Sequence, residues 1–546
     1  MVAAAHDLVT GSEGLTVLVH DYVEYWAHRA PERECVGDGT RTLTYAQVDE
    51  QADRFAHLLA DLGVGDGDRF GVLAKNCLEW APIYAGAFKA GAIPVPLNYR
   101  HHPREWLHPM TDSGSTVFIA QSQYAAGVDG IRAELPDVHH FVLLDGLDGT
   151  DGLDETGWAS YPKLLAAAPA QRIGRHIDPD HTLYLMYTSG TTGKPKGAVL
   201  THRAADANLT QIRTALSLHH TTRNLLTSPM FHTASAVNLF AGWAAGLTAY
   251  MIIDFDPDGC ARFIDDEKIT MVSLAPAMIQ AMLVSSTALR ERRFEALRTV
   301  LYGASAINEQ TLRDILEIFG GVERPADFYQ AYGQTEATAL LTMLGPEDHR
   351  RALDGDASLL RSAGRPVVGV ELKVVDADGA DCPTGAVGEI LARGPQVMSG
   401  YWNLPEASEQ ALAGGWLHTG DAGYFDDDGY LFISDRVKDM IVSGAENVFP
   451  KEIEDVLYQL DGVAEAAVIG VPSERWGETV KAVVVPRPGV TLTEDEVITW
   501  CRGRLAGYKC PRSVDLVEEL PRNAAGKVLK RVLREPYWHG SVRQVG

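Results

Sequence analysis

The chain has 546 residues, 46% apolar and 22% charged, with 73 acidic against 48 basic side chains and a formal charge of −25. Such a length exceeds one hydrophobic core and calls for at least two domains, at roughly 100–200 residues each. So acidic a surface repels nucleic acid and anionic membrane and excludes a nucleic-acid-binding role, although local loops and a bound cation can still attract a nucleotide.

The first residues, 1–7, lack a basic segment followed by an apolar one, so no secretory signal is expected. Six cysteines, none in Cys-x-x-Cys spacing, predict reduced thiols in a cytoplasmic protein. In chain order, residues 45–62 have helical periodicity, with Phe55, Leu58 and Leu59 on one face. Residues 69–74 read as a strand, 78–90 as a helix and 92–97 as a short strand whose prolines place it at an edge or bend. Residues 236–253 are almost wholly apolar, but Gly242 and Gly246 interrupt them, which predicts a buried helix and strand and no membrane span. Residues 195–330 repeat the alternation seen in 1–180, so an α/β fold with parallel sheets is expected.

From about 365 to 435 the texture changes to short strands, with hairpin signals at 376–379 and 427–429. The aspartates at 426–428 lack the EF-hand pattern and read as a solvated turn. After 436 a compact α+β segment begins. Pro450 opens a helix carrying Ile453, Val456, Leu457 and Leu460, and Thr493 with Glu496 forms a capping box for another. The boundary is a short hinge near 434–438, dividing 1–435 from 436–546.

The most informative run is 187–197, Tyr-Thr-Ser-Gly-Thr-Thr-Gly-Lys-Pro-Lys-Gly, between two apolar strands. Its glycines, hydroxyls and lysines offer backbone N–H groups, O–H groups and positive charge to a polyphosphate. That is more than a surface turn needs. It does not fit G-x-x-x-x-G-K-[ST], so a P-loop NTPase is not supported. Four further runs follow: 332–336 (Tyr-Gly-Gln-Thr-Glu), 419–421 (Thr-Gly-Asp), 435–440 leading into 443–447, and 521–527 (Pro-Arg-Asn-Ala-Ala-Gly-Lys).

These five runs, in this order, resemble the signatures of the adenylate-forming superfamily of acyl-CoA synthetases, adenylation domains and luciferases. The resemblance implies a large N-terminal domain of two βαβ-type sheet subdomains and a small β-barrel-like subdomain, followed by a small mobile C-terminal lid. It implies a phosphate loop of Thr188, Ser189, Gly190, Thr191, Thr192, Gly193 and Lys196. Gly303, Ala304, Ser305, Gln330, Ala331, Tyr332 and Gly333 would belong to the cofactor site, with Tyr332 offering its ring face and Gln330 its amide to the adenine. Thr335 would meet phosphate, and Glu336 with Thr188 would hold Mg2+. Asp421 and Arg436 would take the ribose hydroxyls, and Ile433 and Lys438 would complete the nucleotide site. His232 would be the gate between acyl pocket and nucleotide, and Gly444 and Trp476 would lie on the coenzyme A side. Lys527 would be the catalytic lysine.

Elementary chemistry supports several of these roles. Hard carboxylate and hydroxyl oxygens suit Mg2+. A mobile ammonium near the α-phosphate stabilises charge that develops as a carboxylate attacks. Plainer readings stand beside them: a helix cap for Glu336, a surface ion pair for Asp421 and Arg436, a packed histidine at 232 and an exposed lysine at 527. Two departures are visible. Gly444-Ala445 stands where two glycines are common, and 302–306 reads Tyr-Gly-Ala-Ser-Ala in place of a Gly-Gly-Ala-x-Pro run.

The expected function is ATP-dependent ligation of a carboxylic acid to coenzyme A through an acyl-adenylate. Transfer to a carrier protein or a nitrogen acceptor, a luciferase-like oxygenase, and a non-catalytic nucleotide-binding regulator are the alternatives. The acyl pocket is expected along 231–240, 273–278 and 302–305, with Ser235 and Asn238 as its polar groups. Its lack of charge suits a medium-chain aliphatic or aromatic acid. Monomer and homodimer both stay open.

Overall fold

A computed structural model describes residues 17–146, 157–188, 194–303, 307, 309–320, 326–436, 439–443, 446–473, 477–522 and 528–538. The helix Tyr45–Asp61 starts where predicted, at Thr44, whose side chain accepts from the Gln47 N–H in a capping box. It packs on the helix Trp80–Ala90, in which every residue is buried.

Five sheets organise the described residues. A five-stranded, wholly parallel sheet runs in the order Ile93–Pro96, Arg69–Leu73, Val117–Ala120, His140–Leu143, Trp158–Ser160. Its proline-bearing strand lies at an edge, as the missing N–H donors require.

A nine-stranded sheet carries six parallel strands at its centre: Asp327–Tyr332, Thr299–Gly303, Met271–Leu274, Arg223–Leu226, Thr248–Met251 and Glu34–Gly37. Thr342–Leu344 and Arg365–Pro366 extend one edge and Thr42–Thr44 the other, all antiparallel. Residues 34–44 cross over to close the edge of the second sheet, because Val36 pairs with Ala249.

The apolar run 236–253 divides as predicted, into the helix Thr233–Ala245 and the strand Thr248–Met251. Gly246 makes the break with a φ of +68°, and a Cβ there would come within 2.3 Å of the Trp26 ring. No helix among the described residues is long and apolar enough to span a membrane.

The small barrel-like unit is an antiparallel sheet of Glu371–Val375, Gly388–Arg393, Leu417–Phe425 and Leu431–Arg436. The turn at 427–429 joins two neighbouring strands directly, and Asp426 Oδ1 accepts from the N–H groups of Asp428 and Tyr430. The turn at 376–379 closes in the same way: Asp376 Oδ1 accepts from the N–H groups of Asp378 and Ala380, and the N–H groups of Asp376 and Cys382 donate to the Ala380 and Val374 carbonyls. The returning segment keeps one bridge, Val375 to Asp381, while Glu371–Val375 takes Gly388–Arg393 as its strand partner.

The last sheet contains Glu446–Val448, Ile441–Ser443, Gly477–Pro486, Val463–Ser473 and Ser513–Leu516, backed by the helices Pro450–Leu457 and Glu494–Arg502. It has its own core of Ile441, Ile453, Leu457, Val468, Val484 and Cys501, and the predicted helix stops short of Leu460. All six cysteines are unpaired.

Candidate active site

Strand order in the nine-stranded sheet reverses at Arg223–Leu226. The next strand in sequence, Thr248–Met251, lies on one side of it and Met271–Leu274 on the other. Open parallel sheets bind ligands at the carboxyl ends of strands where the order reverses. The segments leaving those ends are 227–232 and 275–278, so the fold itself puts His232 and the expected acyl wall at the crevice. His232 sits at the N-cap of the helix Thr233–Ala245, its ring tilted against that of Phe231 with centroids 4.8 Å apart. Its Nε2 is buried with no hydrogen-bond partner among the described residues, and burial, aided by the charges of Arg100 and His101, lowers its pKa to about 4. The ring is therefore neutral at pH 7.

The expected adenine residues lie at the carboxyl end of Asp327–Tyr332, where Tyr302 pairs with Gln330 and Gly303 with Ala331. Both glycines are required by close approach: a Cβ on Gly303 would meet the Ala331 carbonyl oxygen at 2.4 Å, and one on Gly333 the Ala339 oxygen at 1.8 Å. The Gln330 Oε1 is buried without a partner among the described residues, an acceptor that an amino-bearing ring would satisfy. The chain then turns through Thr338 and Ala339 at φ of +55° and +116°, conformations that cost energy in non-glycine residues. Thr338 is held there by donating to the Gln396 carbonyl at 2.6 Å.

That turn brings Glu336 to the base of the glycine-rich hairpin, formed by Thr182–Thr188 and Lys196–Thr201. Tyr187 donates to Asp112 at 2.6 Å and His108 bonds the Pro195 carbonyl at 2.8 Å, fixing the base of the hairpin to the helix Pro103–Ser113. Thr188 Oγ1 lies 3.5 Å from Glu336 Oε1. Two ligands at right angles on octahedral Mg2+, with bonds of about 2.1 Å, stand about 3 Å apart, so these hard oxygens fit that ion with a small adjustment. Thr335 Oγ1 accepts from Thr233 Oγ1 at 3.2 Å, linking the turn Thr335–Ala337 to the helix behind His232.

On the other side, Tyr332 donates to Asp421 Oδ2 at 2.8 Å. Asp421, buried, pairs by register with Arg436, and Ile433 with Gly423 on the same hairpin. Sequence reasoning placed Tyr332 and Asp421 at base and sugar separately and missed that one bonds the other.

It also missed Tyr401, which donates to Glu336 Oε1 at 2.9 Å and carries the Lys196 ammonium 4.9 Å from its ring centre. The available signal was an aromatic pair in the turn-rich run Gly-Tyr-Trp-Asn-x-Pro-Glu at 400–406. Ser189, Gly190, Thr191, Thr192, Gly193, Ala304, Ser305, Lys438, Gly444, Trp476 and Lys527 lie outside the described residues, as does the side chain of Arg436.

Residues 23–402 match the family described as AMP-binding enzyme, and 452–527 match the AMP-binding enzyme C-terminal domain. The chain belongs to this adenylate-forming family and is an enzyme of its AMP-forming acyl-ligase class. It is 36% identical over 529 residues to the fatty acid–[acyl-carrier-protein] ligase ScoC of Streptomyces coeruleorubidus, covering 95% of this chain and 96% of that one. It is 35% identical over 512 residues to a feruloyl-CoA synthase of an Amycolatopsis species, covering 94% and 97%. Among solved structures, the Bacillus subtilis o-succinylbenzoate CoA synthetase with its acyl-adenylate intermediate has a TM-score of 0.81 and 30% identity, covering 94% and 97%.

Proposed function

We propose that the protein joins a monocarboxylic acid, medium-chain aliphatic or aromatic, to coenzyme A at the cost of ATP. The observation that carries this reading is the convergence of Thr188 and Glu336 at the base of the glycine-rich hairpin, with Gln330, Tyr332 and Asp421 lined up beside them. In the first step a substrate carboxylate oxygen attacks the α-phosphorus, the bond to the β-phosphate bridge breaks, and pyrophosphate leaves. In the second, the coenzyme A sulfur attacks the carbonyl carbon, the acyl–phosphate bond breaks, and AMP leaves with the thiol proton released to solvent.

Glu336 and Thr188 would hold Mg2+, which supplies charge neutralisation at the phosphate oxygens. Asp421 would accept from ribose hydroxyls and Gln330 would face the adenine. Neutral His232 would separate the acyl group from the nucleotide without adding charge to an apolar pocket. Lys527 would stabilise the charge that builds at the α-phosphate. Residues 436–546 would act as a lid that turns about the 434–438 hinge between the steps, delivering Lys527 first and the Gly444 and Trp476 side second. Six unpaired cysteines agree with a cytoplasmic setting.

Loading of a carrier protein is the second reading, favoured by the likeness to ScoC. AMP release across a panel of acids, with coenzyme A and a phosphopantetheinyl carrier as competing acceptors, decides both acid and acceptor. Lys527→Ala should lose pyrophosphate release by at least a hundredfold yet keep thioester formation from supplied acyl-adenylate. No AMP with any acid overturns the proposal, and equal loss of both steps overturns the role of Lys527.

A further inference from the structure

Tyr401 touches both halves of the triphosphate corner. Its hydroxyl donates to the same Glu336 oxygen that faces Thr188, at 2.9 Å against 3.5 Å. Its ring lies under the Lys196 ammonium. Its backbone is stitched to both partners as well. Ser399 N–H donates to the Val199 carbonyl at 3.0 Å and Trp402 N–H to the Gly197 carbonyl at 2.8 Å, on the hairpin's outgoing strand. Met398 N–H donates to the carbonyl of Glu336 itself at 2.8 Å. Residues 398–402 therefore join the metal carboxylate to the phosphate hairpin, and Tyr401 is the side chain at the joint.

Glu336 stands on a single 3₁₀ turn, Thr335–Ala337, which leaves its side-chain torsions free unless something grips the carboxylate. Mg2+ demands near-ideal octahedral geometry, so a rotated carboxylate loses affinity. A donor on one lone pair of Oε1 fixes the carboxylate plane, and with it the lone pairs left on both oxygens, including the one on Oε1 beside Thr188. Among the described residues Oε2 has no hydrogen-bond partner. Groups that orient a metal ligand in this way are worth about 10- to 100-fold in metal affinity or activity.

We propose that Tyr401 is a positioning residue that aims the Glu336 carboxylate at magnesium and keeps it in register with the Lys196 side of the phosphate hairpin. This rests on the ligase reading above. Tyr401→Phe keeps the ring, the lysine contact and the backbone stitches, and removes only the hydroxyl. In this variant the Mg2+ concentration giving half-maximal pyrophosphate exchange should rise at least tenfold. ATP binding without metal, measured by calorimetry, should stay within twofold of wild type. In a Glu336→Gln background the same substitution should have no further effect, because Tyr401 acts through that carboxylate. Three results would each overturn the assignment: unchanged magnesium dependence, equal weakening of ATP binding with and without metal, or a defect that persists in full beside Glu336→Gln. Should wild type exchange pyrophosphate with no acid, the ligase reading fails. The magnesium-dependent tightening of ATP binding, measured without acid in wild type and Tyr401→Phe, then still decides the role of Tyr401.

Discussion

Two groups of charge in this molecule are built in opposite ways. In the first, Lys89, with only 2% of its side chain exposed, bonds Asp49 at 2.7 Å and Asp53 at 2.8 Å, with Glu24 at 3.6 Å and Arg172 on the far side of Glu24. Burial alone would lower the Lys89 pKa, but the carboxylates of Asp49 and Asp53 outweigh it and raise the value. The network is closed on itself and pins the helix Trp80–Ala90 to Tyr45–Asp61. In the second group, Glu336 is gripped from one side by Tyr401 and approached by Thr188 at the base of the glycine-rich hairpin. Charge satisfied within the fold serves stability. Charge oriented by neighbours but not neutralised by a cation among the described residues is what the proposed function assigns to a ligand.

The contrast is broken most strongly at Lys89. Lys89→Met should destabilise the protein by about 3–5 kcal/mol, because it strands the buried Asp53 carboxylate and the partly buried Asp49, while kcat of the folded fraction stays within twofold. Denaturant unfolding and assay of the soluble enzyme check it. Glu336→Gln should do the reverse: adenylation should fall about a hundredfold, about 2.7 kcal/mol in the barrier, with the unfolding midpoint unchanged.

His20 sharpens the comparison through pH. Burial, with the charges of Lys89 and Arg172 adding to it, lowers its pKa to about 3, while Asp21 approaches its Nε2 at 3.7 Å and the His202 ring packs edge-on. The unfolded chain takes up this proton from about pH 6.5 downward and the native protein does not. Stability from this residue is therefore full above pH 6.5 and falls by about 1.4 kcal/mol per unit as pH drops toward 3. His20→Asn should flatten the unfolding profile between pH 6.5 and 5 by that slope. An unchanged profile would place the proton uptake elsewhere. The smallest effect belongs to an open pair: Arg393→Ala removes the surface contact with Glu371 and should change stability by less than about 0.5 kcal/mol.

Much of the architecture is visible in the residues because its signals are local. The capping pairs Thr44–Gln47 and Thr493–Glu496 and the Gly246 break mark element ends without reference to the rest of the chain. The edge position of Ile93–Pro96 follows from proline's missing donor. What stayed hidden depends on contacts between distant segments. Nothing near 34–44 signals that these residues pair with 248–251, and nothing near 401 signals that this tyrosine meets Glu336 across 65 positions. Lys89 reads as one more residue of an apolar helix until the helix bearing Asp49 and Asp53 is laid against it. Glu336 and Thr188 were legible as a pair only through a resemblance, since neither run alone specifies the other.

The crossing of residues 34–44 into the nine-stranded sheet has a consequence for biosynthesis. Glu34–Gly37 finds its parallel partner only once Thr248–Met251 has left the ribosome, some two hundred residues later. At about 5–20 residues per second this is a wait of roughly 10–40 s. For that interval the nascent chain carries Cys35 and Val36, fully buried in the finished enzyme, with only the short Thr42–Thr44 strand beside them. This early strand is thus seated only when nearly half the chain has been made, and chaperone demand in translation should concentrate on it.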